Sequence, residues 1–302
     1  MVRRRPVILG LTAAGLAAVV GAAWLLARPG GGTGPPPATE TPSAPVSAPV
    51  VRPPVTGEDR SALAEAVSAA VHQVVPGTEI GLAVHDRRTG SALTGVNAGR
   101  QFYAASVVKL LIAIHVLRAD EWTVPGGAER DDLVAMLSAS ADGVASALWD
   151  AHGGPAISSE MAGLIGLRHT SPPRIPHQWE LTRMSPGDVV AVYEYIGDAM
   201  PGHAREFVLA ALAEPADPAA DGFDQLFGVP EGLPGGGRAV KQGWMRVDDG
   251  LVLNSTGLAG DEGRFVVALL TRQPGGTGFA EGRAAVTAGI AALAPTLTAD
   301  GN

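Results

Sequence analysis

The 302-residue chain contains no cysteine. That excludes a thiol nucleophile, a thiolate-ligated zinc or iron–sulfur centre, a disulfide framework and a lipid-modified N-terminal cysteine. Positive charge is short as well: 22 Lys and Arg stand against 30 Asp and Glu, a formal charge of −8. With no basic surplus to neutralise phosphates, the composition argues against a nucleic-acid partner. The seven histidines show no HExxH-like ligand spacing, so neither a metal nor another cofactor is expected. Lysine is the scarcest charged residue. Of the 22 basic residues 20 are Arg, leaving only Lys109 and Lys241.

The N-terminus reads as an export signal. Arg3, Arg4 and Arg5 precede an uncharged run from Val7 to Ala27, 21 residues long. About 20 apolar residues span a bilayer core, and arginines before the run predict an internal N-terminus and an external remainder. Residues 1–28 are therefore expected to be a membrane anchor, with a cleaved signal peptide as the alternative. Residues 29–56 hold nine prolines in 28 positions, a composition that samples polyproline II and cannot bury a core. Extended at 3.1 Å per residue, this spacer reaches roughly 85 Å. Residues 57–302 are expected to be one folded, monomeric domain. They keep 17 basic and 29 acidic residues, a net charge of −12.

Within that domain, apolar spacing predicts helices over 58–75, 106–118, 128–137, 143–151, 185–200, 204–212 and 280–294. Alternation and turn residues predict strands over 79–85, 91–96, 240–247, 250–254 and 264–271. Ser185-Pro186-Gly187-Asp188 supplies an N-cap, a proline at the first helical position and an acid in the first turn. Two strands, then helices, then three strands and a closing helix imply an α+β fold. One antiparallel sheet, made from both chain ends and flanked by helices, carries an inserted all-helical region.

The two lysines fall where their chemistry matters. Arg serves any surface-charge role but cannot give up its proton, whereas a buried Lys shifts its pKa readily. Lys109 lies in Phe102-Tyr103-Ala104-Ala105-Ser106-Val107-Val108-Lys109. At a helix start, residues three apart share a face. That brings the Lys109 amine beside the Ser106 hydroxyl, where desolvation favours the neutral amine that can take the serine proton. Lys241 lies on a strand in Lys241-Gln242-Gly243-Trp244, and the glycine lets a ligand lie against the backbone.

Ser106-Val107-Val108-Lys109, Ser140-Ala141-Asp142 and Lys241-Gln242-Gly243 occur in the order and rough spacing of Ser-x-x-Lys, Ser-Asp-Asn and Lys-Thr-Gly. The chain thus resembles the serine β-lactamase and penicillin-binding-protein superfamily, class A β-lactamases included, over essentially all of residues 57–302. The resemblance implies the β-lactamase/transpeptidase-like fold and an acyl-enzyme mechanism. Ser106 would be the nucleophile, Lys109 its base and Ser140 the proton relay to the leaving group, with Ser138 as rival. Lys241 would hold a substrate carboxylate and the field around Ser140. The N–H groups of Ser106 and Trp244 would form the oxyanion hole. Asp142, Gln242, Gly243 and Trp244 would line the substrate, and Arg246 is a further carboxylate-binding candidate.

Three residues depart from the pattern. Asp142 replaces the Asn whose amide would meet a substrate carbonyl, and an ionised carboxylate can only accept hydrogen bonds. It would repel that carbonyl unless protonated or turned away; a helix-capping role is its alternative. Gln242 replaces a hydroxyl residue, its amide NH₂ being the compensating donor. Glu180 is the one nearby candidate to activate a deacylating water, but the helix starting at Ser185 follows too soon to match the family's loop. Glu180 therefore reads as a structural or surface carboxylate. His115, Trp149 and Trp179 read as core residues. The expected function is an exported, membrane-tethered serine hydrolase acting on cell-wall peptides or β-lactam amides. A true β-lactamase and a non-catalytic binding domain are the alternatives.

Overall fold

The structure, a computed structural model, describes residues 57–298 except residue 236. The anchor and spacer expected over 1–56 lie outside the described residues. Among the described residues, no helix is long and apolar enough to cross a membrane.

The elements follow the chain in the order expected from its patterning. Helix α1 (Gly57–Val74) carries Glu58 and Asp59 in its first turn, where the helix dipole favours acids. A hairpin follows, β1 (Glu79–Asp86) and β2 (Ser91–Val96), then the short β3 (Phe102–Tyr103). A single 3₁₀ turn, Ala105–Val108, runs directly into α2 (Lys109–Ala119). Helix α2 is buried on every side from Lys109 to His115, as suits a helix with apolar residues all round. Helices α3 (Gly127–Ser138), α4 (Asp142–Ala151) and α5 (Pro155–Ile165) surround it. The sequence reading missed α5. Its markers are local: Pro155 at the first helical position and Gly166 as a left-handed cap at φ +81°.

A two-residue strand, β4 (Arg183–Met184), pairs with β3 and leads into α6 (Pro186–Glu194). The predicted cap is present: Ser185 Oγ accepts the Asp188 N–H at 3.1 Å. The Asp188 carboxylate in turn accepts from the N–H groups of Arg168 and His169 and the hydroxyl of Thr170, fixing that loop. The helix then loosens into a π-turn at Tyr195–Ala199 before α7 (Gly202–Ala213). After the short α8 (Val229–Gly232) come β5 (Ala239–Val247), β6 (Gly250–Ala259) and β7 (Phe265–Pro274). Helices α9 (Phe279–Ala291) and α10 (Ala294–Leu297) complete the described chain.

The five long strands form one antiparallel sheet in the order β2-β1-β7-β6-β5. Strand β7 lies at its centre and joins the N-terminal hairpin to the C-terminal strands. Alternate side chains divide the core in two. Val266, Ala268 and Leu270 of β7 pack with α2 and the helical region, whereas Phe265, Val267 and Leu269 pack with α1 and α9. Strand β5 is an edge strand, and its helical-region face borders the start of α2.

Candidate active site

The approach to Ser106 is held from both sides. The Ala104 N–H donates to Thr182 O at 2.8 Å. From β6, Asn254 Nδ2 donates to Tyr103 O at 2.9 Å and Ala104 O at 3.1 Å, while its Oδ1 accepts from Thr271 N. Ala105 then takes φ +45°, an uncommon value for a residue with a Cβ, and turns the chain sharply into Ser106. In the 3₁₀ turn, side chains three apart eclipse one another, more closely than in the helical turn expected from sequence. That alignment places Lys109 Nζ 2.9 Å from Ser106 Oγ.

Ser140 arrives from the link between α3 and α4, again at positive φ, +57°. The link is fastened to the segment preceding α8: Ala216 N and Gln225 Nε2 donate to Ser138 O, and Ala220 N donates to Ala139 O. Lys109 Nζ donates to Ser140 O at 2.7 Å and reaches Ser140 Oγ at 3.1 Å. On the other side, Lys241 Nζ lies 2.9 Å from Ser140 Oγ. Ser106, Lys109, Ser140 and Lys241 therefore form one hydrogen-bonded run. All four are buried, the lysines almost completely.

Strand parity decides the rest of β5. Lys241 and Gly243 face the helical region. A Cβ on Gly243 would sit 2.8 Å from Ala104 O and 3.3 Å from Ser106 N, so this glycine is what lets the strand lie against the nucleophile turn. Gln242 points the opposite way. Its Nε2 donates to Phe227 O and, at 3.0 Å, to Ser255 Oγ, and its Oε1 accepts from Thr256 N. The expectation that Gln242 supplies a donor to substrate is thus corrected, because its amide is spent behind the sheet. The Trp244 side chain shares that face, stacked on Phe223 at 4.6 Å with its indole N–H on Asp221. The residue of β5 that lies against Ser106 N is Gly243. Arg246 is likewise committed elsewhere, to Thr277 O and the Phe279 ring. Ser138 bonds back to Val134 O within its own helix, which removes it as a relay.

Asp142 does not cap α4; Ala141 stands at the N-cap, and no side chain caps that end. Its carboxylate instead accepts from Lys109 Nζ at 2.5 Å, with the Asp142 side chain more than half exposed. It stands in the site as the lysine's counter-ion, not as a free contact for substrate. Trp179 is a core residue, as expected, but its ring also lies 4.6 Å from Lys109 Nζ. Glu180, half-buried on the adjoining 3₁₀ turn Trp179–Leu181, is near enough for its charge to be felt by Lys109. His115 is buried and meets the His152 ring edge-on, matching its core reading.

Burial lowers the pKa of both lysines. For Lys109 the effect is opposed chiefly by Asp142, then by Asp221 and Glu180. For Lys241 burial is reinforced by the charge of Lys109, and the pKa falls well below 10.5. Asn254, Asp221 and the face that Trp179 turns to Lys109 are the site features that sequence reasoning missed. The one visible signal was an Asn inside the otherwise apolar start of β6.

A model of the β-lactamase enzyme family matches residues 62–122, which include the Ser106–Lys109 segment. The chain is 34% identical over 226 residues to the protein named "Putative lipoprotein LppW" in Mycobacterium tuberculosis, covering 72% of this chain and 70% of that one. The fold matches a β-lactamase from Chitinophaga pinensis with a TM-score of 0.64 at 15% identity, covering 77% of this chain and 98% of that one. The β-lactamase of Streptomyces albus G gives 0.62 at 19% identity, covering 78% and 99%. PBP-A, solved as a point mutant in an acyl-enzyme complex with penicillin G, gives 0.61 at 16% identity, covering 78% and 96%. By its likeness to LppW the chain belongs to that protein's family, and it has the fold of the β-lactamases and PBP-A.

Proposed function

We propose that the protein is a serine hydrolase of the penicillin-binding-protein type, acylated at Ser106 by a peptide or β-lactam amide and slow to deacylate. The observation that carries this reading is the continuous run from Ser106 Oγ through Lys109 Nζ and Ser140 Oγ to Lys241 Nζ, with no gap above 3.1 Å. Acyl transfer needs a nucleophile, a tunable base, a proton donor for the leaving nitrogen and fixed N–H donors for the oxyanion. In this reading Ser106 attacks and Ser140 returns a proton to the leaving nitrogen. The N–H groups of Ser106 and Trp244 receive the oxyanion, each such donor being worth on the order of 10²–10³ in rate. Gly243, packed against Ser106 N, keeps that pair of donors together.

The substrate side offers fewer side-chain donors than the motif spacing suggests. Gln242 and Arg246 are turned away, leaving Lys241 as the basic residue nearest Ser140 apart from Lys109. The relative's lipoprotein name fits an extracytoplasmic, membrane-attached role. This chain has no cysteine to carry a lipid, so residues 7–27 would anchor it instead. Two observations favour other readings. The place of Glu180 next to Trp179, whose ring lies against Lys109 Nζ, favours a true β-lactamase with Glu180 activating water. The Lys109–Asp142 ion pair favours a binding domain that has lost its base. A chromogenic cephalosporin separates the three. A burst of one equivalent followed by slow release, absent in Ser106→Ala, is the expected result. Rapid multiple turnover would establish the β-lactamase reading, and no release at all the binding reading.

A further inference from the structure

Strand β5 sets the direction of any substrate that Ser106 attacks. Lys241, beside the Ser140 hydroxyl, stands near its start, and Gly243, against Ser106 N, stands two residues on. A substrate extended along β5 keeps its leaving group at the Lys241 end and carries its acyl part towards Val247. The step from Gly243 to Val247 is four residues, about 13 Å at 3.3 Å per residue. There the strand borders a cavity of about 380 Å³. The same cavity is lined by Tyr103, three residues before the nucleophile, and by Arg183, the register partner of Tyr103 on β4.

Three arginines and three carboxylates line this cavity. Glu79 accepts from Arg100 and, at 2.9 Å, from Arg272, which also pairs with Asp249. Arg183 has no such partner among the described residues. Its guanidinium lies 4.1 Å from the centroid of the Tyr103 ring, both residues being half-buried. Stacking fixes the orientation of a guanidinium but uses none of its N–H donors. Open donors in a fixed fork match a carboxylate, which they can bind through both oxygens. Asp248 is the one acid in the cavity without a cation among the described residues, and it is exposed on the turn between β5 and β6.

We propose that Arg183 determines specificity by binding a carboxylate on the acyl part of the substrate, in the cavity at the Val247 end of β5. This inference rests on the acyl-transfer reading above and names its substrate class, an acidic peptide acyl donor. Arg183 is the group that recognises the carboxylate, and Tyr103 holds it in place. Asp248 lines the same cavity and repels the same carboxylate, so it weakens the preference without abolishing it.

Two synthetic penicillins test it. Aminopenicillanic acid acylated with suberic acid, or with its half-amide, carries a linear chain long enough to reach the cavity. The two probes differ only in ending on a carboxylate or a neutral amide. Acylation of Ser106 by each is followed by intact-protein mass. The parent should prefer the carboxylate probe by roughly tenfold, the scale of one hydrogen bond to a charged group. Arg183→Gln should bring that ratio close to one, and Asp248→Asn should raise it. A merely structural Arg183 would slow both probes alike, and an unchanged ratio in Arg183→Gln would overturn the proposal. So would a parent indifferent to the two probes, or a ratio lowered by Asp248→Asn. Should Arg183→Gln not fold, the parent's preference and its rise in Asp248→Asn decide the matter. Calorimetric binding of both probes to Ser106→Ala repeats the comparison without acylation. A carboxylate preference in binding with no acylation of the parent would sink the acyl-transfer reading and leave the subsite standing. Acylation without a preference would do the reverse, and no preference in either measurement overturns the proposal.

Discussion

Lys241 places a nearly fully buried amine against a single strong partner, Ser140 Oγ. Burial lowers its folded pKa, so between that value and 10.5 the unfolded chain holds a proton that the folded protein lacks. Stability therefore rises with pH across that window, and below it the full penalty of burying a charge applies. Replacing Lys241 by Met should remove the penalty while leaving Ser140 Oγ its contact with Lys109. We predict a gain of about 1 kcal/mol at pH 7, typical of relieving a strained functional site, together with loss of acylation. Urea denaturation at pH 7 and pH 9.5 checks it. The Met variant should gain less between the two pH values than the parent does, and a Met variant less stable than the parent would count against a burial penalty on the Lys241 charge. The residues on which this turns were legible in the sequence, because scarcity singled out Lys109 and Lys241 and the ordered motifs supplied Ser106 and Ser140. Asp142 was legible as an anomaly, but its partner was not. That Lys109 is its counter-ion follows only from where α4 starts relative to α2.

Strand β5 and the 3₁₀ turn before α2 form the working pair of elements, and their separation is set by one missing methyl. Gly243→Ala would put a Cβ 2.8 Å from the backbone oxygen of Ala104, which is anchored by Asn254 and cannot yield as a flexible side chain would. The strand must then move off the nucleophile turn. We predict a stability loss of about 1–3 kcal/mol and a fall in acylation rate of roughly 10²-fold, as expected when reacting groups are displaced by about 1 Å. Acylation kinetics beside thermal unfolding would show this, and an unchanged acylation rate would contradict it. Strand parity also explains the misreading of Gln242. Adjacent residues on a strand face opposite sides, so Lys241 and Gln242 cannot both serve one site, and the motif lettering concealed that. Asn254 was illegible for a different reason: its partners Tyr103 and Ala104 lie about 150 positions away, joined to it only by the sheet order.

The whole molecule is closed by β7, which hydrogen-bonds the N-terminal hairpin on one side and the C-terminal strands on the other. The sequence showed strands at both chain ends and an antiparallel sheet. It did not show which strand stood at the centre, since β1, β6 and β7 are all rich in apolar residues. With β7 central, β1 cannot detach without stripping the middle of the sheet. Amide hydrogen exchange should therefore find Leu82–Val84 of β1 and Val266–Leu270 of β7 opening together, at the free energy of global unfolding. Earlier exchange of the β1 segment would contradict that arrangement.

All of this chemistry depends on Ser106 being a working nucleophile within the fold. Intact-protein mass after incubation with benzylpenicillin, beside the Ser106→Ala variant, puts that to the test. A lasting mass increase of one drug molecule, mapped to the peptide holding Ser106 and absent from the variant, is the result predicted here. No adduct in either protein, with the drug left unconsumed, would contradict it.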